Sequence, residues 1–150
     1  MTDAGLVAKK LALIESCLSD LDRLARPEAI DTDVRELRFV EHTLQIAIQA
    51  ALDVASHIVS DRRLGEPRTN RELFDLLHRD GWLDADLAGT LRNMAGFRNV
   101  LVHGYDDVDL RVVHDVLNVH LGDLTAFVEA VRRRSLPRSR KRSQPPGLDR

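Results

Sequence analysis

The sequence predicts an all-α fold, an up-and-down bundle of four to five helices. Three observations lead there. Apolar residues recur at helical spacing in every long segment, no strand-like alternation or internal repeat is present, and the prolines and glycines fall mostly between the periodic segments. With 150 residues, 43% of them hydrophobic, the chain is of single-domain size and carries enough apolar side chain for one core.

The elements follow in chain order. Leu6, Leu11, Ile14, Leu18, Leu21 and Leu24 place an amphipathic helix over roughly 4–25. Cys17 adjoins that stripe with no basic neighbour to activate it, so it reads as a small buried thiol. A second segment, about 31–60, contains neither Gly nor Pro and is capped by Asp31 or Asp33. Its second stripe, Ile46, Ala50, Asp53, Val54 and His57, lies off the main one. A helix apolar on more than one side needs more than one partner, either inside the bundle or in a second copy of the chain.

Residues 61–70 form a loop with Gly65 and Pro67. Thr69 followed by Glu72 is a capping box, so a short helix starts there, buries Leu73, Phe74 and Leu77, and ends near Gly81. Asp84 or Asp86 opens a fourth helix with the face Leu87, Leu91, Met94, Ala95 and Arg98. The last helix begins around Asp107–Asp109 and carries Leu110, Val113, Leu117, Leu121, Leu124, Phe127, Val128 and Val131. This divides the chain into a helical domain, 1–131, and a basic tail, 132–150. Arg132–Arg134 suit a helix C-terminus, and beyond Leu136 the composition predicts disorder.

Composition excludes several classes. One cysteine permits neither an intrachain disulfide nor a zinc site built on several thiolates. No apolar run approaches the roughly 18 residues of a membrane span, and the N-terminus lacks the order of features of a signal peptide. A soluble, cytoplasmic protein is therefore expected. The formal charge of −2 conceals an asymmetry: residues 132–150 hold eight basic residues and one acid, or +7, which leaves 14 basic and 23 acidic residues, or −9, in 1–131. A folded domain that binds nucleic acid is more often basic.

Chemistry-bearing motifs are few. The sequence has no phosphate-cradling Gly-rich loop, no His-Glu-x-x-His and no Gly-x-Ser-x-Gly. His42 and His57 lie within the second helix and His78 ends the short one. His114 and His120 fall on different faces of the last, so no metal pair and no cofactor site is expected.

One segment stands apart, FRNVLVHGYDDVD at 97–109, in which Arg98 is followed by His103 and Tyr105. Gly104 disfavours helix, so His103 sits at or just past a helix end. On a regular helix Arg98 and His103 are about 140° apart. They can meet if the helix unwinds at Val102–Gly104, or if two copies face each other across a two-fold axis. Arginine grips a phosphate in a fork of donors, and histidine transfers protons near neutral pH. A metal-free ribonuclease needs that combination: a base for the 2′-hydroxyl, an acid for the leaving 5′-oxygen and a cation for the phosphorane. One histidine per chain is a group short, and a homodimer supplies the second. The alternatives are a helix-terminal histidine beside an arginine paired with Asp106 or Asp107, and a non-catalytic helical module that binds a nucleotide or a protein.

Arg98-Asn99-x-x-x-His103-x-Tyr105 resembles the R-x4-H-x-Y motif of the HepT-like toxins, in the HEPN superfamily of small α-helical proteins. The stretch 35–77 is similar to that family's long central helix, loop and short helix, with an acid, here Asp53, among the apolar residues of the central helix. Residues 91–117 are similar to its motif helix, turn and last helix. The likeness spans about 5–131 and leaves out the basic tail. It implies a metal-independent endoribonuclease toxin that cuts RNA at a cleft between two protomers and needs no cofactor. It also implies an antitoxin partner of the minimal nucleotidyltransferase, or MntA, type. By position, Arg98 and His103 are then catalytic, Asn99 supports them, and Tyr105 receives AMP groups that switch the nuclease off. The added bulk and negative charge would repel an RNA phosphate. The acidic body requires that RNA be held by a local basic cleft or by the tail, that substrate choice be narrow, or that the acidic surface serve the antitoxin.

Overall fold

A computed structural model describes residues 3–103 and 108–135 of the chain. Its helices are α1 (Ala4–Leu24), α2 (Val34–Asp61), α3 (Asn70–Arg79), α4 (Ala85–His103), α5 (Leu110–Asp115) and α6 (Leu121–Ser135). A 3-10 turn, Pro27–Ala29, links α1 to α2, and a π-helical stretch, Val116–His120, joins α5 to α6. No strand occurs among the described residues, so the all-α reading holds. Among them, too, no helix is long and apolar enough to cross a membrane.

The helix starts follow from short polar side chains that satisfy otherwise orphaned backbone N–H groups. Asp3 caps α1 by accepting from the Leu6 amide at 3.1 Å. Asp33, not Asp31, caps α2, accepting from the Arg35 amide at 2.9 Å, and Asp31 pairs with His114 Nε2 at 2.9 Å. Thr69 caps α3 through the Glu72 amide, but Glu72 itself accepts from the Arg68 amide at 3.0 Å, one residue before the usual partner in a capping box. Asp84 caps α4 and Asp109 caps α5. Helix α3 stops where Gly81 turns to φ +84° and the Trp82 amide returns to the Leu77 carbonyl.

Helix α2 lies at the centre, touching α1, α3, α4 and α6. Val40, Leu44, Ala47, Ile48, Ala51, Ala55 and Ile58 are fully enclosed along it. Its second stripe finds its partner within the chain: Ala50 and Val54 are buried, Lys10 of α1 bonds Asp53 at 3.0 Å, and His57 Nε2 accepts from the Asp3 amide at 2.9 Å. Burial pushes the Cys17 thiol up from its ordinary pKa, with Asp20 adding to the effect, as expected of an inert core cysteine.

Helix α6 runs to Ser135, so Arg132–Arg134 belong to the folded body. Arg132 forks onto Glu15 of α1 at 2.7 and 2.8 Å, and those bonds hold the Glu15 carboxyl below its ordinary pKa. Arg134 lies 4.3 Å from the Trp82 ring centroid and donates to the Asp80 carbonyl at 2.6 Å. The Asp80 carboxylate also accepts from Arg62 and from Trp82 Nε1, both at 3.0 Å. Burial opposes ionisation of Asp80, but these bonds and the charges of Arg62 and Arg134 outweigh it and lower its pKa. With α6 counted to residue 135, the body holds 17 basic and 23 acidic residues, or −6, and 136–150 holds +4. The segment from Leu136 onward, with the disorder expected there, lies outside the described residues.

Candidate active site

The motif helix α4 buries Ala88, Leu91, Met94, Ala95 and Phe97. Arg98 follows Met94 and Ala95 at spacings of four and three, so the cation occupies the inward-facing stripe of its own helix. It is half-buried. Its Nε is enclosed and has no hydrogen-bond partner among the described residues, while Nη1 donates to Asn99 Oδ1 at 3.3 Å.

Helix α4 is unbroken through His103. Arg98 and His103 therefore lie about 140° apart around the axis and roughly 7.5 Å apart along it. No unwinding brings them together before Gly104. Instead His103, which is exposed, shares a face with Asn99 four residues earlier and Val100 three earlier, both exposed. Asn99 thus connects the two expected catalytic groups: it holds the Arg98 guanidinium and stands on the His103 face. Tyr105 lies outside the described residues, as do Gly104, Asp106 and Asp107, so the expected modification site and the alternative Arg98 ion pairs fall there.

A groove adjoins this helix that sequence reasoning missed. Arg38, Glu41, His42 and Gln45 of α2 line a cavity of about 380 Å³ that Leu101 of α4 completes. His42 is separated from Leu101 in sequence by the rest of α2, all of α3 and most of α4, and only the bundle topology makes them neighbours. Asp53, in contrast, is not gathered to the motif. It lies eight residues beyond Gln45, some 12 Å further along α2, where Lys10 and Gln49 hold it. Among the described residues no set of three or more His, Cys, Asp or Glu side chains is placed to hold a metal ion.

The sequence matches the family described as Ribonuclease HepT-like over residues 12–131. The chain belongs to the ribonuclease HepT-like family. It is accordingly an endoribonuclease of the HepT toxin type. It is 28% identical over 128 residues to the mRNA nuclease HepT of Shewanella oneidensis, covering 85% of this chain and 96% of that protein. It is 33% identical over 116 residues to the tRNA nuclease HepT of Aphanizomenon flos-aquae, covering 74% and 79% respectively. Its fold superposes with a TM-score of 0.80 on the tri-AMPylated Shewanella oneidensis HEPN toxin in complex with MNT antitoxin, at 28% identity over 89% of this chain and 99% of that one. The expected HEPN-like bundle and the HepT-like resemblance are both borne out.

Proposed function

We propose that this HepT-like ribonuclease cuts RNA without a metal, at a cleft formed by two copies of the chain. Arg98 and His103 of both copies carry the reaction. One His103 takes the proton of a ribose 2′-hydroxyl, and the freed oxygen attacks the adjacent phosphorus. Arg98 stabilises the charge of the five-coordinate phosphorane. The second His103, protonated, gives its proton to the departing 5′-oxygen, leaving a 2′,3′-cyclic phosphate and a 5′-hydroxyl. Asn99 orients the guanidinium.

The observation that carries this reading is the unbroken α4, with Arg98 on its inward stripe, Asn99 bonded to it, and His103 exposed on the Asn99 face. One chain offers a single motif histidine at that face, and general acid plus general base catalysis requires two groups. A second α4 brought up across a two-fold axis provides the other.

The partner is an antitoxin of the minimal nucleotidyltransferase type, and AMPylation of Tyr105 silences the nuclease. Phosphate-borne negative charge two residues from His103 opposes an incoming RNA phosphate. Incubation of the purified protein with total bacterial RNA in excess EDTA tests the chemistry. Wild type should cleave, and His103→Ala should be slower by about 10²-fold or more. Equal cleavage by the two, or none by either, contradicts the assignment. Intact-mass measurement after mixing with a minimal nucleotidyltransferase and ATP tests the switch: adenylyl increments are expected on the wild type and absent from Tyr105→Phe.

A further inference from the structure

We propose that the groove on α2 beside the motif helix is a nucleotide subsite of the ribonuclease, in which Arg38, His42 and Gln45 hold single-stranded RNA next to the phosphate that Arg98 receives. The inference rests on the catalytic reading of Arg98 and His103. Position is its first support. Leu101, which closes the groove, lies one turn beyond Arg98 and two residues before His103, so a chain threaded through the motif has this groove as its immediate neighbour. At about 380 Å³ the cavity is within the range, roughly 300–1,000 Å³, of sites that enclose small ligands.

The lining supplies the three contacts that single-stranded RNA needs. The Arg38 side chain is 61% exposed and engages Glu41 only through one long contact of 3.4 Å, while Glu41 is itself 14% exposed. Glu41 takes only Nη1, so the guanidinium keeps Nε and Nη2 donors for a phosphate. His42 is exposed and presents a flat ring on which a base can stack. Gln45 offers a donor and an acceptor for a base edge, and Leu101 an apolar wall. The groove also has a direction. Past Gln45 lies Asp53, whose carboxylate is engaged by Lys10 and Gln49 at 3.0 and 2.8 Å, whereas Arg38, with its single long contact, is the cation with donors to spare for a phosphate. In a body of charge −6, where general attraction for RNA is weak, a local site of this kind is how substrate is held.

The test uses the full-length protein and steady-state cleavage of a fluorescent single-stranded RNA oligonucleotide, with a cleavage map on total RNA. His42→Ala and Gln45→Ala should each raise KM about 5- to 20-fold while kcat stays within about twofold, and should redistribute the cut sites, as expected for the loss of one stacking or base-edge contact. Gln45→Glu, nearly isosteric, should raise KM further than Gln45→Ala because it sets a carboxylate against the RNA. Arg38→Ala should flatten the dependence of log KM on log salt by about 0.7, the loss of one phosphate contact on a single strand. Unchanged KM, cut sites and salt slope in all four variants overturn the subsite, and so does conversion of a dimeric wild type to monomer, which makes the groove a subunit contact. His103→Ala inactive with the groove variants unaltered overturns the subsite alone. RNA left intact by the wild type overturns the catalytic reading and the subsite with it.

Discussion

In the proposed mechanism, Arg98 is the residue at which stability and function oppose each other. Its place on the Leu91–Met94–Ala95 stripe would suit a leucine or methionine, and enclosing Nε without a partner among the described residues costs free energy that an apolar side chain would not incur. Arg98→Met should raise the melting temperature, by an amount corresponding to about 1 kcal/mol, while abolishing cleavage. A lower melting temperature would show that the guanidinium is a structural member of the core. Arg98→Lys keeps the charge but loses the fork, and should cut kcat at least tenfold. The cation's odd register was legible in sequence, since an arginine extends an otherwise apolar helical face. His42 was not. On sequence grounds it is one more exposed histidine on a long helix, and its neighbour Leu101 is reached only through the packing of α2 on α4.

At the scale of single elements, the capping residues were the most informative part of the sequence. Asp33, Thr69, Asp84 and Asp109 each mark a helix start because a carboxylate or hydroxyl there satisfies a free backbone N–H. The π-helical stretch Val116–His120 was not foreseen. The steps Val113–Leu117–Leu121 are two successive fours, each drifting about 40° on a regular α-helix, and the wider π turns take up that drift while keeping Val113 and Leu124 buried. The same widening lets His120 Nε2 reach Asp115, five residues back, at 3.2 Å, while Nδ1 holds Asp123 at 2.9 Å. The bond to Asp123 is the main reason the His120 pKa lies above its ordinary 6.5, against partial burial and with the charges of Asp123 and Asp115 adding. Because the folded value is the raised one, this stabilisation is complete below the unfolded pKa and is lost as pH rises through the folded one. The melting-temperature difference between wild type and His120→Gln should therefore be larger at pH 6 than at pH 9. A difference that grows toward pH 9 would contradict the assignment.

For the whole molecule, the sequence conveyed the helix count and order because each helix carries its own periodicity and cap. It conveyed the charge division less well. Arg132 and Arg134 look like the beginning of a basic tail, yet Glu15 and the Asp80–Trp82 pair bind them into the bundle, joining the end of α6 to α1 and to the α3–α4 turn. Those partners are distant in sequence, and only the tertiary fold reveals them. This clamp occupies the end of the bundle where α4 begins, and His103 lies at the other end of α4, 19 residues or roughly 28 Å away. The clamp thus leaves the His103 end of α4 clear, where the proposed two-protomer cleft would form. The most direct test of that composite cleft is the activity of a mixed dimer, one wild-type and one His103→Ala protomer, purified through two different tags and assayed on RNA in EDTA. A shared cleft that needs both histidines should leave the mixed dimer nearly as inactive as the His103→Ala homodimer. Retention of half the wild-type activity would mean that each chain cuts RNA alone, and would contradict the account.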